Sequence, residues 1–188
     1  MYVERILCPI VTLGPGKRLV IWTKGCSKKC PGCISPEMSI IGDSKDIPEK
    51  DLFSIVKNLY QSEGFDGITI SGGDPLEQLS DLLLLLEDLH ELTDDILVYT
   101  GFLWKEFSKT IKPDEKSKIE KLISVLIDGP YIHEKNTPDL PLRGSSNQTI
   151  LFFDPVKKEK YMEYMNTGRQ LQNIYIDDKL LTVGIMDK

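Results

Sequence analysis

Short apolar runs alternate with helical patterns through most of this chain, and this alternation restricts the fold more than any other feature. Four apolar runs have a strand-forming composition, at residues 19–22, 67–70, 96–99 and 123–127. Strands that are apolar throughout and separated by helices are typical of a parallel sheet covered on both faces. The sequence therefore predicts an α/β fold, either a doubly wound sheet or a partial (β/α) barrel.

Two segments between these runs have clear helical periodicity. Apolar residues recur at intervals of three and four from Leu52 to Tyr60, a pattern that predicts one helix. A second helix is predicted from Asp74-Pro75-Leu76-Glu77, which supplies an N-cap, a first-turn proline and a capping-box acid. Weaker helical patterns cover residues 104–110, 115–121 and 157–165.

The last forty residues have a different pattern from the alternating part. After the weak helix, they contain strand patterns at 173–176 and 180–185 around a turn at 177–179. We therefore expect a core over residues 1–148 and a C-terminal extension over residues 149–188, with the extension packed on the core as a helix and a hairpin.

Unusual loops follow each of the four predicted strands. They are the cysteine-rich loop after residue 22, Ser71-Gly72-Gly73-Asp74, Thr100-Gly101 and Asp128-Gly129. In both candidate architectures, ligands bind at the carboxyl ends of the strands. We expect these loops to form one site.

Composition excludes several classes of protein. The chain has 188 residues, a net charge of −6 and a pI near 5.0, which argues against nucleic-acid binding. No apolar run has the length of a membrane span, and the first residues lack a signal-peptide pattern. We therefore expect a cytoplasmic protein that binds neither membranes nor nucleic acids.

Charge is nevertheless uneven, because the first forty residues carry six basic and two acidic side chains. We call Lys17, Arg18, Lys24, Lys28 and Lys29 the basic strip. Such a strip flanking the cysteine loop can attract an acidic partner, and the alternative is a set of lysines that only solvate an exposed loop.

Three of the four cysteines form a C-x₃-C-x₂-C loop, at Cys26, Cys30 and Cys33. Zinc sites usually combine paired C-x₂-C knuckles with a fourth ligand, and an iron–sulfur cube normally takes four cysteines. Three thiolates on a cube leave one iron with an open position. Cys8 lies in an apolar segment, which favours a small core residue, and a zinc or electron-transfer site stays open as the alternative.

The motifs around this loop resemble those of radical S-adenosylmethionine enzymes, and most of all the anaerobic ribonucleoside-triphosphate reductase activating proteins. Six motifs occur in order over residues 14–148: Gly14-Pro15-Gly16-Lys17-Arg18, Cys30-Pro31-Gly32-Cys33, Ser71-Gly72-Gly73-Asp74-Pro75-Leu76, Tyr99-Thr100-Gly101, Val125-Leu126-Ile127-Asp128-Gly129 and Leu142-Arg143-Gly144-Ser145-Ser146-Asn147-Gln148. The chain departs from the family pattern in two places. Ile34 stands where an aromatic residue is usual, and forty residues follow Gln148.

The resemblance implies a partial (β/α) barrel of the radical S-adenosylmethionine type. It also implies a [4Fe–4S] cluster on the three cysteines, with S-adenosylmethionine bound at the open iron. Reductive cleavage would yield a 5′-deoxyadenosyl radical that takes a hydrogen atom from a glycine of a large reductase. A flavodoxin-type donor would supply the electron. No catalytic side chain is implied beyond the cluster and S-adenosylmethionine.

The same resemblance implies roles for individual residues. Gly72, Gly73 and Asp74 would hold the methionine end of the cofactor. Thr100 and Asp128 would hold its ribose or carboxylate, and Arg143 its carboxylate. The adenine contacts would come from Gly32, Cys33 and Ile34, and the partner or substrate contacts from Arg18, Ser145 and Asn147.

Two other functions stay open at this point. The chain could be a radical enzyme that acts directly on a peptide or small molecule, with residues 149–188 as the recognition element. It could also be a non-catalytic iron–sulfur or zinc module.

Overall fold

The structure, a computed structural model, describes residues 1–176 and 178–186. The strands of this described part are β1 (Val3–Ile10), β2 (Arg18–Thr23), β3 (Gly67–Gly72), β4 (Ile96–Tyr99), β5 (Val125–Asp128), β6 (Thr149–Phe152), β7 (Leu171–Ile176) and β8 (Lys179–Gly184). The helices are α1 (Glu49–Glu63), α2 (Leu79–Leu89), α3 (Trp104–Phe107), α4 (Pro113–Leu122) and α5 (Lys158–Met165). Short 3₁₀ turns cover Pro36–Ser39, Pro75–Gln78, His133–Lys135 and Pro155–Lys157.

The predicted α/β class is confirmed, because the described residues form a mixed sheet in the order β1-β2-β3-β4-β5-β6. Strands β2 to β5 are parallel, and β1 and β6 pair antiparallel at the two edges. Since the order follows the chain without reversal, right-handed crossovers place α1, α2 and α4 side by side on one face. A doubly wound sheet requires a reversal of order, so that alternative is wrong. In the described part of the chain the two edge strands are not paired with each other, and the sheet is open.

The four predicted strands are present, with small shifts at their ends. The last predicted strand began at residue 123, whereas β5 begins at Val125. Ile123 is instead the C-cap of α4, where its backbone N–H donates to the carbonyl of Ile119. None of the helices in the described part of the chain has both the length and the apolar character needed to cross a membrane.

The two faces of the sheet are covered by different parts of the chain. Helices α1, α2 and α4 pack on one face, where Ile21, Ile70 and Val98 are fully buried. The second face is covered by α5 and by the β7–β8 hairpin, which confirms the predicted hairpin. Residues 149–152, assigned to the extension from the sequence, lie in the main sheet as β6. Double coverage explains why the strands are apolar throughout.

Side chains from the C-terminal part complete this second core. Tyr161 of α5 is fully buried against Leu97, Val125 and Ile127. Val183 of β8 lies with Ile10, Leu13 and Val20 in a separate cluster. Asp177, in the predicted hairpin turn, lies outside the described residues.

A buried ion pair joins the amino ends of the parallel strands. The side chain of Arg18 is 0 % exposed, and its guanidinium lies 3.2 Å from a carboxylate oxygen of Asp95. It also donates to the hydroxyl of Thr69 at 2.6 Å and to the carbonyl of Ile68 at 2.5 Å. A Cβ on Gly67 would lie 2.5 Å from the guanidinium, so the arginine needs a glycine at that position.

This burial contradicts the predicted partner or substrate contact of Arg18. The side chain points into the protein, where buried acceptors satisfy its donors. Burial acts to raise the pKa of Asp95, but Arg18, Tyr161 and Lys160 outweigh this effect and hold the pKa below its usual range. The Asp95 carboxyl group is therefore charged at neutral pH.

Replacement of Arg18 should unfold the protein at lower urea concentration. We expect Arg18→Met to lower the free energy of unfolding by about 3–5 kcal/mol, because it leaves the buried Asp95 carboxylate without its cation. The double variant R18M/D95N should recover part of this loss. Equal urea midpoints for wild type and R18M would contradict this assignment.

The stability contributed by Asp95 should depend on pH. A carboxyl group whose pKa is lower in the folded state stabilises the fold above its unfolded pKa of about 3.9, and the contribution is lost as the pH falls towards the folded value. Asp95→Asn should therefore be less stable than wild type at pH 7, with a gap that narrows below about pH 4. Urea titrations across this range measure the gap, and a gap that widens on acidification would show the opposite shift.

Candidate functional site

A cavity of about 570 Å³ lies at the carboxyl ends of the parallel strands. The loops predicted to meet there line it together: Cys26, Cys30 and Cys33 after β2, Gly72 and Gly73 at the end of β3, Thr100 and Gly101 after β4, and Gly129 after β5. Gly32 and Ile34 of the cysteine loop also line the cavity. One concave surface thus combines three thiols with four strand ends.

The cysteine loop is held at its start by backbone hydrogen bonds. The N–H of Gly25 donates to Met38 at 2.8 Å, and that of Cys26 donates to Ser39 at 3.1 Å. All three cysteines are partly exposed, and burial raises the pKa of the Cys26 thiol. Three accessible sulfur donors on one short loop fit an iron–sulfur cluster that is held by three cysteines.

The glycines after β3 pack directly on this loop. Gly73 donates its N–H to the carbonyl of Thr23 at 2.7 Å, and Asp74 donates to that of Gly25 at 2.8 Å. A Cβ on Gly73 would collide with the backbone carbonyl of Gly25. Gly72 has a φ of +104°, and a Cβ there would lie 2.5 Å from the backbone of Thr23. Glycine is therefore needed at both positions, because a side chain at either one would collide with the backbone of Thr23 or Gly25.

The Asp74 carboxylate joins the loops that follow β3 and β4. It accepts from the hydroxyl of Thr100 at 2.8 Å, from the N–H of Gly101 at 3.0 Å and from the N–H of Leu76 at 3.1 Å. The last bond confirms the predicted N-cap. Burial raises the pKa of Asp74 to about 6, although the bonds from Thr100 and Gly101 favour the charged form. Its carboxylate also lies within 4.8 Å of the Cys26 sulfur.

Glu77 has a role that the sequence did not reveal. The predicted capping box is wrong, because the Glu77 carboxylate accepts from the N–H of Ser27 at 2.8 Å and from its hydroxyl at 2.6 Å. The ammonium of Lys28 lies 3.4 Å from the same carboxylate and 3.1 Å from the centroid of the Phe102 ring. From the sequence, Glu77 could be identified only as an acidic residue at the start of a helix, because its partners lie fifty residues earlier.

Asp128 and Arg143 are not among the described residues that line the cavity. Asp128 is buried, and one of its carboxylate oxygens accepts from the N–H of Trp104 at 2.8 Å. Among the described residues its other oxygen has no partner. Arg143 donates to the backbone carbonyl of Gln148 at 3.1 Å. These contacts support the loops that carry Gly129 and Gly144.

The motif that ends at Gln148 is a closed loop. The Gln148 side-chain oxygen accepts from the N–H groups of Gly144 and Ser145, and its nitrogen donates to Gly129 at 3.0 Å. Ser145 is 0 % exposed, which contradicts its predicted contact with a partner or substrate. Asn147 donates to the carbonyl of Pro130 at 2.8 Å. These polar side chains are used to fold the loop.

The basic strip is only partly formed, because Lys28 and Lys29 both line the cavity whereas other members lie elsewhere. Arg18 is buried, and Lys17 precedes β2 at the end of the sheet opposite the cavity. Lys24 is paired with Glu4 at 3.2 Å, and Lys28 is held between a carboxylate and an aromatic ring. Proximity in sequence did not place all five charges on one surface.

The hairpin supplies a cavity wall that was not predicted. Residues 181–186 line the cavity together with the cysteine loop residues. The hydroxyl of Thr12 donates to the carbonyl of Val183 at 3.1 Å, and the side chain of Gln172 accepts from the N–H of Val11 at 2.9 Å. These contacts join the hairpin to the segment between β1 and β2.

The fold and the site define an α/β protein with a three-cysteine site suited to an iron–sulfur cluster. A family model described as a 4Fe-4S single cluster domain matches residues 12–151. Three similar proteins are each named anaerobic ribonucleoside-triphosphate reductase-activating protein. That of Salmonella typhi is 31% identical over 142 residues, covering 73% of this chain and 89% of the relative.

The protein of Pasteurella multocida is 34% identical over 158 residues, with coverage of 81% and 97%. That of Enterobacteria phage T4 is 30% identical over 143 residues, with coverage of 73% and 85%. The chain belongs to the family of anaerobic ribonucleoside-triphosphate reductase-activating proteins, as its motifs predict.

Enlargement of Gly73 should disturb the cysteine loop. We expect Gly73→Ala to lower the free energy of unfolding by about 1–3 kcal/mol, because its methyl group displaces the backbone of Gly25. The iron content of this variant after anaerobic reconstitution should also be lower than that of wild type. Gly64→Ala is the control for loss of stability alone, since a Cβ at Gly64 meets nothing within 4 Å but its φ of +63° makes alanine strained there, away from the cysteine loop. Equal iron content in the two variants would contradict the packing role.

Proposed function

We propose that this chain is a radical S-adenosylmethionine enzyme that generates a glycyl radical on an anaerobic ribonucleoside-triphosphate reductase. The observation that carries this proposal is the lining of one cavity by Cys26, Cys30 and Cys33 together with the loops after β3, β4 and β5. Membership of the activating-protein family supports the same conclusion.

In this proposal the three thiolates hold a [4Fe–4S] cluster and leave one iron open for S-adenosylmethionine. When bound, the cluster and S-adenosylmethionine supply reductive cleavage of a carbon–sulfur bond and an adenosyl radical that takes a hydrogen atom from glycine. The protein contributes the position of the bound groups and the hydrogen bonds that hold the surrounding loops.

The cavity has a suitable size for a nucleoside cofactor, because small-molecule sites usually occupy about 300–1,000 Å³. Gly32, Ile34, Gly72 and Gly73 line it, and the backbone of the three glycines can approach a ligand closely. Thr100 lies in the lining with its hydroxyl oriented by Asp74. We assign these residues to the cofactor, with Asp74 holding the β3 and β4 loops around it.

In this proposal Asp128 and Arg143 act on the loops that line the cavity rather than on the cofactor. Each fixes a loop that reaches the cavity, at Gly129 and at Gly144. The sequential order of the parallel strands suits a partial (β/α) barrel of the radical S-adenosylmethionine type, in which ligands bind at the carboxyl ends of the strands.

The proposed partners are the large reductase subunit and a flavodoxin-type electron donor, in a cytoplasmic setting. The names of the relatives support the first partner. The second follows from the chemistry alone, because a low-potential cluster needs an external electron.

A second candidate function is radical chemistry on a peptide or small molecule. It is favoured by the hairpin, because residues 181–186 line the cavity but lie outside residues 12–151, which match the family model. A wall supplied from outside the family region can select a different substrate.

Cluster assembly and cofactor cleavage test the proposal. After anaerobic reconstitution, wild-type protein with S-adenosylmethionine and dithionite should release 5′-deoxyadenosine, measured by liquid chromatography. Alanine at Cys26, Cys30 or Cys33 should abolish the cluster, because three ligands leave none to spare. Cys8→Ala is the control. Cys8 packs in the core, so its loss should cost roughly 1 kcal/mol of stability and leave the cluster intact.

The outcomes separate the candidate functions. Absence of 5′-deoxyadenosine from a protein with a reducible cluster would leave a non-catalytic module. Cofactor cleavage with no glycyl radical signal on the purified reductase of the same organism, measured by electron paramagnetic resonance, would favour the second candidate.

A further inference from the structure

Two of the three residues between Cys26 and Cys30 are bound by side chains from other parts of the fold. Ser27 donates both its backbone N–H and its hydroxyl to the Glu77 carboxylate, at 2.8 and 2.6 Å. Glu77 lies in the 3₁₀ turn that precedes α2. One carboxylate therefore fixes both the backbone and the side chain next to Cys26.

Lys28 extends this connection to the loop after β4. Its ammonium lies 3.4 Å from Glu77 and 3.1 Å from the centroid of the Phe102 ring. Phe102 is itself packed on Phe107, with ring centroids 4.6 Å apart. A Cβ on Gly101 would lie 3.0 Å from the Lys28 side chain, so glycine at this position leaves room for that side chain. We call Ser27, Lys28, Glu77 and Phe102 the loop brace.

The cysteine loop needs such support. It is exposed at Ser27 and Lys29, and Lys29 has a φ of +47°, which is uncommon for a residue with a side chain. A loop of this kind has many conformations when nothing holds it. Metal ligands bind more tightly when neighbouring groups fix their orientation before the metal arrives.

We propose that Glu77 is a positioning residue for the iron–sulfur cluster, which sets the placement of Cys26 and Cys30 by binding Ser27 and Lys28. This inference rests on the cluster ligation within the proposed function, and it does not depend on the substrate. Glu77 need not touch the cluster. Its hydrogen bonds define the conformation of the C-x₃-C segment, and Asp74 already provides the N-cap that the sequence assigned to this turn.

The experiment compares the rate of cluster loss to an iron chelator in four reconstituted proteins. They are wild type, Glu77→Ala, Glu77→Gln and Glu87→Ala. Glu87 is the matched control, because it lies on α2 in an exposed ion pair with Lys118 at 2.8 Å. Visible absorbance follows the cluster, and thermal unfolding of the iron-free proteins follows the fold.

We expect Glu77→Ala to lose its cluster about tenfold faster than wild type, within the range found for groups that orient metal ligands. Its electron paramagnetic resonance spectrum in the reduced state should also broaden. Glu77→Gln keeps an oxygen acceptor for Ser27 and should stay close to wild type, as should Glu87→Ala. The iron-free forms of the two alanine variants should unfold at similar temperatures.

Equal rates of cluster loss in Glu77→Ala and Glu87→Ala would overturn the inference. So would a Glu77→Ala protein whose iron-free form is destabilised in proportion to its cluster loss, with no rescue by glutamine. A wild-type protein that binds a cluster but releases no 5′-deoxyadenosine would overturn the proposed function, while the ranking of the four proteins would still decide the role of Glu77.

Discussion

The buried guanidinium of Arg18 is the interaction on which the arrangement of the sheet depends. It binds acceptors on β3 and in the segment that leads into β4, so it fixes the amino ends of three parallel strands at once. Arg18 is paired in register with Gly67, where the missing side chain gives the arginine room. Because strands aligned at one end are also aligned at the other, this contact determines which loops meet at the cavity. A buried charge thus acts at a distance from the site that it supports.

At the opposite end of the sheet, one segment organises the cysteine loop almost residue by residue. Gly73 binds Thr23, Asp74 binds Gly25, and the Gln78 side chain donates to the carbonyl of Lys24 at 3.0 Å. Two motifs separated by some forty residues therefore behave as one unit. The glycines of the segment after β3 allow its backbone to pack on the backbone of the cysteine loop. The acidic residues of this segment accept hydrogen bonds from neighbouring loops. The cysteine loop is thus held by the segment that follows β3, and not by its own contacts alone.

Local patterns were sufficient to predict much of this structure, because strands, helices and strand-end loops depend on short-range chemistry. The periodicity from Leu52 to Tyr60 lies within α1, and the glycine-rich strand ends lie in one cavity. Long-range pairing was not accessible in the same way. Arg18 follows a lysine and resembles a surface residue, and its partner Asp95 is 77 positions away. Glu77 fits a capping box in sequence, yet in the fold the nearby loop offers it stronger donors. The same limit applies to the hairpin wall, whose apolar pattern does not indicate what it faces.

Because the second sheet face is covered by α5 and the hairpin, the order of synthesis determines when that face is covered. A ribosome synthesises the cysteine loop and the parallel strands up to Asp128 before it synthesises α5 and the hairpin. Until then the face that carries Val20, Leu97 and Ile127 has no cover, and the cavity lacks one wall. The three thiols of the nascent chain are therefore exposed before the cavity next to them has all its walls. The site can be completed only after the hairpin has left the ribosome, and until then the growing chain exposes an apolar sheet of the kind that chaperones protect.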